Sequence, residues 1–279
     1  MTDGQGQDSV LTAAFQLART YKSHLTGLFI RPDPRSAIPF MGEGLTADAI
    51  QDLVEASERE GRQRAEQAKT AFESAAKTHK VPAGDGLEKK AAPSCEWQEI
   101  VGFIADRVGR ETRVADLAVL PQPGDGAPRD AGDLLHEVLY RSGRPLMMIP
   151  AQCPSEIGRR IVIAWNGSAE STRSVAAALP LLERAESVRI LGIGEPDPDR
   201  PGLEALATYL ARHGIESEAE QIETGEDGAG ATLMSALVKR QADLLVMGAF
   251  SHSRWREMVL GGVTRHAIQN APIPAFMSH

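Results

Sequence analysis

The chain predicts an α/β fold made of two tandem domains, each on a doubly wound parallel sheet, the first lacking its first strand. Three observations carry this. Short apolar runs of strand length alternate with amphipathic stretches of helical period. The connections between them are mostly short, as parallel strands joined through covering helices require. The pattern also occurs twice. "ADLAVLP" (115–121) matches "ADLLVMG" (242–248) at an offset of 127 residues, and the same offset aligns "RPLMMIP" (144–150) with "APIPAFM" (271–277). Further upstream "GLFIRPDP" (27–34) resembles "LGIGEPDP" (191–198) at an offset of 164, so the first copy holds 37 more residues between these landmarks. Internal repeats of this kind set the domain organisation: one domain over 1–153 and a second over 158–279.

The second copy reads cleanly in order. "RRIVIAW" (159–165) is a strand, and Ser168 is the N-cap of the helix that follows. "SVRILGIG" is the next strand, "PGLEALATYLARHG" a helix ended by Gly214, and "ESEAEQIE" a more polar strand. "GATLMSALVKRQ" (helix), "ADLLVMG" (strand), "GGVTRHAIQNA" (helix) and "IPAFM" (strand) complete it. Pro272 and Pro274 remove ladder donors, which suits that last strand to a sheet edge.

The first copy departs in two places. Its helix "SVLTAAFQLARTY" follows only "MTDGQGQD", with Asp3-Gly4 where Asn166-Gly167 stands later. The strand matching "RRIVIAW" is therefore missing, through a real truncation or a late start site. The extra length is one long helix over 45–80, with Ile50, Leu53, Val54, Ala65, Ala68, Phe72 and Ala75 at helical spacing. It is expected to lie across the sheet as an extended crossover.

Composition narrows the function classes. The 279 residues carry a net charge of −8, and 42% are hydrophobic. An acidic chain lacks the clustered Lys and Arg that neutralise phosphates, which argues against nucleic acid. No apolar run approaches the length of a membrane span. Cys95 and Cys153 have no nearby Cys or His at ligand spacing, so zinc is not indicated and reduced thiols are expected. The polar N-terminus has no signal-peptide core, and the cytoplasm is the expected location.

"MGAFSHSRWREMVLGGVTRHA" (247–267) is the segment that carries chemistry. A buried-looking strand runs into Gly248, then a polar loop, then Gly261-Gly262 opening a helix. A glycine at a strand end lets a ligand approach the main chain. The first amides of a helix lack partners and carry the positive end of its dipole, which suits phosphate. Thr264 adds a hydroxyl, and His252, Arg254 and Arg256 add donors from the loop. A glycine-rich turn that binds nothing fits the same letters. Trp165 and Trp255 flank the segment; each can stack on a base or serve as core or lid. His136 and His266 lie on helices without an acid or nucleophile at a telling spacing.

These residues resemble a universal stress protein domain, of the adenine nucleotide alpha hydrolase-like fold, and the chain resembles a tandem pair of them. That family's motif is Gly, two residues, Gly, nine residues, Gly, then Ser or Thr. Here it runs Gly248, Ala249, Phe250, Ser251, nine residues, Gly261 and Gly262, followed by Val263 and Thr264. Ser251 replaces the second glycine, Gly262 stands at the Ser or Thr position, and Asn166 replaces the usual strand-end Asp. The resemblance implies a stress-response module that takes ATP or another adenine nucleotide, with or without magnesium, in its C-terminal domain. The implied cofactor-binding set is Ala164, Trp165, Asn166, Ile193, Gly248, Ser251, His252, Gly261, Gly262, Val263 and Thr264. In the first copy the same places hold Pro121, Gly124, Leu134 and Leu135, which removes an amide and fills the phosphate cradle.

No catalytic or metal-ligating residue is indicated. Walker A, Gly-x-Ser-x-Gly and pyrophosphatase-type loops are absent from the sequence, so slow ATP hydrolysis is the most that is expected. The alternative is an interaction protein of the same fold that binds no nucleotide. The resemblance further implies pseudo-twofold pairing of the two domains through their last strands, and a homodimer.

Overall fold

The apolar runs become adjacent strands. In the computed structural model, which describes residues 7–34, 46–87, 92–124, 127–128, 130–154, 156–250 and 262–279, the chain forms two compact units, Met1–Glu111 and Thr112–His279.

The first unit comprises α1 (Gln7–Tyr21), β1 (His24–Arg31), α2 (Ala47–His79), β2 (Ser94–Val101) and α3 (Ile104–Glu111). β1 and β2 pair in parallel, His24 opposite Ser94. Two strands alone bury too little to be stable, so helices must supply the core. Leu11 and Phe15 of α1 meet Phe72 and Ala76 of α2, together with Val81, Cys95 and Trp97. Phe15 and Phe72 lie 5.1 Å apart between ring centres. Gly27 of β1 has to be glycine, because a Cβ there would lie 2.6 Å from the Phe72 ring. Thr46 caps α2, its hydroxyl accepting from the Ala49 amide, and Lys80 closes the helix in the left-handed region at φ 56°.

The long helix thus exists where expected, but its apolar stripe is buried only over its second half, at Ala65, Ala68, Phe72 and Ala76. Leu53 is 45% exposed. A helix of 33 residues runs about 50 Å, while an eight-residue strand runs about 26 Å. So short a sheet cannot cover it end to end.

The second unit holds β3 (Ala118–Pro121), α4 (Ala131–Glu137) continued by a π-helical turn (Val138–Ser142), and β4 (Leu146–Ile149). After these come β5 (Arg160–Ala164), α5 (Ala169–Leu182), β6 (Ser187–Ile193), α6 (Leu203–Arg212) and β7 (Glu218–Ile222). α7 (Gly228–Lys239), β8 (Leu244–Gly248), α8 (Gly262–Asn270) and β9 (Ala275–Ser278) finish it. Among the described residues the five strands and four helices from β5 to β9 follow the order expected for the second copy, whereas β2 was not foreseen. One sheet runs β3-β4-β9-β8-β5-β6-β7, parallel throughout except for the antiparallel pair β4–β9.

The expected edge position of the last strand is not observed. β9 lies inside the sheet, between β4 and β8. Pro272 and Pro274 precede the strand, so residues 275–278 keep their amides for both ladders. The proline that does mark an edge is Pro121. Ala118 and Gln122 donate to β4 carbonyls of Pro145 and Ile149, so the alternation turns the donorless Pro121 nitrogen away from β4, toward the open side.

The repeat explains that open side. In the second copy β5 lies between β6 and β8. Their counterparts in the first copy are β1 and β3. Among the described residues β1 pairs only with β2, and β3 only with β4. Among the described residues the strands of residues 1–153 thus fall in two sheets, one in each unit.

Asp243 anchors the second unit's sheet at its amino end. Its carboxylate, 3% exposed, accepts from the amides of Gly158, Arg159 and Arg160 at 2.9–3.1 Å, tying the start of β5 to the start of β8. Burial raises this carboxyl above its ordinary range, against the pull of those amides. Asp243→Ala leaves three amides unpaired and is expected to cost about 3 kcal/mol in urea denaturation, whereas Asp243→Asn keeps the shared acceptor and should cost about 1 kcal/mol. A carboxyl that binds its proton more tightly in the folded chain destabilises the fold as pH rises through that range. The Asn variant should lack this component of the pH profile.

Both cysteines are free, Cys95 buried and Cys153 half-buried. Burial pushes the Cys153 thiol up to about 11, and it raises the Cys95 thiol too. Thiols in that state are poor nucleophiles near neutrality. Alkylation of both by iodoacetamide at neutral pH should be slow in the native protein and fast after denaturation, as followed by mass spectrometry.

Candidate functional site

Three neighbouring parallel strands, β8, β5 and β6, end side by side and bring Gly248, Ala164 and Ile193 to one carboxyl edge. Ala164, Ile193 and Gly248 are half-buried there, and Asn166 is exposed. Open α/β sheets bind ligands at this edge. The sequence-predicted residues of β5, β6 and β8 are therefore gathered together. Ser251, His252 and Gly261 lie outside the described residues, as do Arg254, Trp255 and Arg256.

The loop after β5 is built from its own hydrogen bonds. Asn166 Oδ1 accepts from the Ser168 amide at 3.1 Å, and the Ser168 hydroxyl caps α5 by accepting from the Ser171 amide at 3.2 Å. Gly167 sits at φ 66°, where a Cβ would meet Arg200 and the Pro201 carbonyl at 2.7–2.8 Å. Trp165 is 8% exposed, and its indole Nε1 donates to Pro201 O at 2.8 Å. Of the two roles open to it from sequence, the structure shows a strut: the ring fastens the β5 loop to the segment before α6.

Gly248 has a packing cause. A Cβ on it would lie 2.5 Å from the Ser171 amide nitrogen and 2.8 Å from the Glu170 carbonyl carbon, so the first turn of α5 rests against bare backbone. The contact is reinforced by Ser174, fully buried, whose hydroxyl donates to Met247 O at 2.7 Å and accepts from the Ser278 amide at 2.8 Å.

α8 supplies the anion-binding element. Gly262 is exposed, and among the described residues nothing stands within 4 Å of the place a Cβ would take. The helix spans nine residues and has no acidic side chain in its first turn, so its amide dipoles there are not offset. Val263 is half-buried. Thr264 differs from expectation: it is 5% exposed, and its Oγ1 accepts from the Phe250 amide at 3.3 Å. It staples the exit of β8 to the start of α8, leaving its hydroxyl hydrogen for one further partner.

Phe250 itself was not singled out by sequence. It holds φ 55°, a left-handed conformation that bulky residues rarely adopt. Its ring packs at 5.4 Å from Tyr140, which in turn lies 4.2 Å from His279 and 4.4 Å from His136. The His279 ring contacts Ala249 O at 3.0 Å. No sequence signal marks this cluster, because its members are joined only through the β4–β9 neighbourhood. His266 packs against Gly230 of α7, where a Cβ would lie 2.5 Å from it.

Among the described residues no group of three His, Cys, Asp or Glu side chains is placed to hold a metal ion. Two cations near the edge are paired: Arg200 with Asp197 at 2.9 Å, and Arg173 with Glu170 at 2.9 Å. Gly248→Ala forces a methyl into the α5 backbone and is expected to destabilise the second unit by about 1–3 kcal/mol. Gly262→Ala, facing open space, should leave stability within about 0.5 kcal/mol. Thermal melting of the two variants checks the contrast.

Residues 158–279 match the Universal stress protein family. A universal stress protein of Synechocystis sp. is 23% identical over 252 residues, covering 84% of this chain and 79% of that one. The crystal structure of a universal stress protein from Archaeoglobus fulgidus aligns over 96% of this chain and 90% of its own, with a TM-score of 0.67 and 14% identity. A Pseudomonas aeruginosa protein of unknown function aligns over 95% and 84%, with a TM-score of 0.50 and 13% identity. A universal stress protein solved in complex with cAMP matches 39% of this chain at 19% identity, with a TM-score of 0.27. The α/β fold is that of the Archaeoglobus fulgidus and Pseudomonas aeruginosa structures, and the likeness to the Universal stress protein family lies in residues 158–279.

Proposed function

We propose that the chain is a tandem, cytoplasmic stress-response module that binds ATP or another adenine nucleotide at the carboxyl edge of its C-terminal domain only. The observation that carries this reading is the start of α8 at exposed Gly262, near which no described residue stands within 4 Å of the Cβ place, following β8, whose end lies beside those of β5 and β6. Phosphates would rest on those amides, and the side chains nearest the edge, Asn166 and Ile193, would face the rest of the ligand. Magnesium would enter with the phosphates as their counter-ion. No residue is assigned a catalytic role.

The first copy supports the asymmetry. Pro121 ends β3 where Gly248 ends β8, and the helix at the place of α8 begins at Ala131. Leu134 and Leu135 thus fall inside it, Leu135 at 3% exposure, instead of at its open end.

The pairing of domains 1–153 and 158–279 is part of the same proposal. In the antiparallel β4–β9 ladder Met148 faces Ala275, and these two stand at the 127-residue repeat offset. Equivalent residues that face each other mark a pseudo-twofold axis. Contacts across it are reciprocal: Tyr140 reaches Phe250 after β8, and the Gln122 amide after β3 reaches Ile268 O of α8 at 3.1 Å. Homodimer formation is proposed from the family resemblance.

The second reading, an interaction protein that binds no nucleotide, is favoured by two observations. Gly248 is explained by α5 alone, and the Thr264 hydroxyl already serves Phe250.

Mass spectrometry of the supernatant after denaturing the purified protein should reveal an adenine nucleotide. Calorimetry with ATP and magnesium should saturate at or below one equivalent per chain. Gly262→Leu, copying Leu135 of the first copy, is expected to weaken binding at least about tenfold without lowering the melting temperature. Saturation near two equivalents would refute the asymmetry. If neither ATP nor AMP at millimolar concentration shifts the melting curve, the second reading stands.

A further inference from the structure

We infer that Tyr140, carried by the first copy's helix, is a positioning residue for the nucleotide edge of the second copy: it holds Phe250 in the left-handed conformation that directs the chain out of β8. The inference rests on the nucleotide reading above and adds the group that shapes the site.

The second unit contains every part of this device. Phe250 follows Gly248 and Ala249 directly, so its backbone sets the direction in which the chain leaves the sheet. An L-residue with a large side chain avoids φ near 55°, and it stays there only when its surroundings over-determine it. Four contacts do so here. The Phe250 amide donates to Thr264 Oγ1, which locks the turn to the first turn of α8. The Ala249 amide donates to Ser278 O, and the Ala249 carbonyl meets the His279 ring. The Phe250 ring lies against Tyr140, itself packed between His279 and His136.

The ring contact is the one a side-chain change can remove cleanly. Tyr140 lies in the π-helical turn Val138–Ser142. The extra residue in such a turn rotates the side chains that follow, and π-turns recur where a side chain must be re-aimed. Ser142 closes this one by donating to Val138 O at 2.6 Å. At the repeat-equivalent place α8 carries Ala267, fully buried, and has no such turn. The first copy has thus lost a cradle of its own and carries in its helix the side chain that props the cradle of the other.

Glycine at 250 would adopt the same φ without any prop. That separates positioning from general damage. In the ligand-free full-length protein, Tyr140→Ala should accelerate hydrogen exchange of the Phe250 amide measured by NMR, while Tyr140→Phe leaves it unchanged. Calorimetric ATP affinity should fall about five- to tenfold in Tyr140→Ala, the range of a lost aromatic pair. It should be retained in Tyr140→Phe and restored in the double variant Tyr140→Ala/Phe250→Gly. A purely structural role predicts that the double variant is worse than either single one, and that result would overturn the inference. So would unchanged amide exchange in Tyr140→Ala. Should that variant melt early, Tyr140→Leu keeps the bulk without the ring and takes the same readings. If the wild-type protein binds neither ATP nor AMP, the nucleotide reading falls by itself, and the exchange data alone decide whether Tyr140 holds Phe250.

Discussion

The antiparallel ladder between β4 and β9 is the contact on which the second unit's architecture turns. Among the described residues β3 and β4 join the rest of the seven-stranded sheet only through this pair. Four residues a side is a short ladder, so hydrogen bonds alone would not hold it. Burial does: Leu146, Met147 and Met148 of β4 and Ala275, Phe276 and Met277 of β9 are almost fully removed from water. Fully burying side chains of this kind contributes about 1.5–3 kcal/mol each. Successive residues of both strands are buried, so both faces of the ladder are covered. The register observed sets repeat-equivalent residues opposite each other, which places Tyr140 of one copy against Phe250 of the other.

The first copy's strands stand in two sheets, and each sheet is completed differently. β3 is left as an outer strand and is suited to it, four residues long with Pro121 turned to the open side. Short strands and outward prolines are how natural sheets avoid adding unwanted strands. β1 and β2 form a sheet of their own and depend on α1 and α2 for a core, which is why aromatic side chains are concentrated there: Phe15, Phe29, Phe72 and Trp97 pack around one another. The intact copy, in contrast, has β5 at its centre, flanked on both sides and tied to β8 through Asp243.

Glycines at the candidate site look alike in sequence but do different work. Gly248 is required by a helix that rests on it, Gly167 by a turn with positive φ, and Gly262 by neither. Among the described residues only the last has nothing within 4 Å of its Cβ place.

The sequence by itself determined the fold class, the order of strands and helices over residues 158–279, and the repeat with its offset. All of these follow from local periodicity, turn residues and comparison of one half with the other, which need no knowledge of long-range contacts. The gathering of Ala164, Asn166, Ile193, Gly248 and Gly262 near one edge was legible for the same reason, because parallel strands with right-handed crossovers end on one side. Only the tertiary structure decided that β9 lies inside the sheet, that Trp165 is a strut, that Thr264 serves Phe250, and that α2 is covered over half its length. Each of these depends on which surfaces meet, and a proline beside a strand, a tryptophan at its end or an apolar stripe on a helix reads the same whether or not a partner is there. The cluster of Tyr140, Phe250 and His279 shows the limit most plainly: its members are far apart in sequence and share no motif, and they meet only because two strands from different copies pair in a single register.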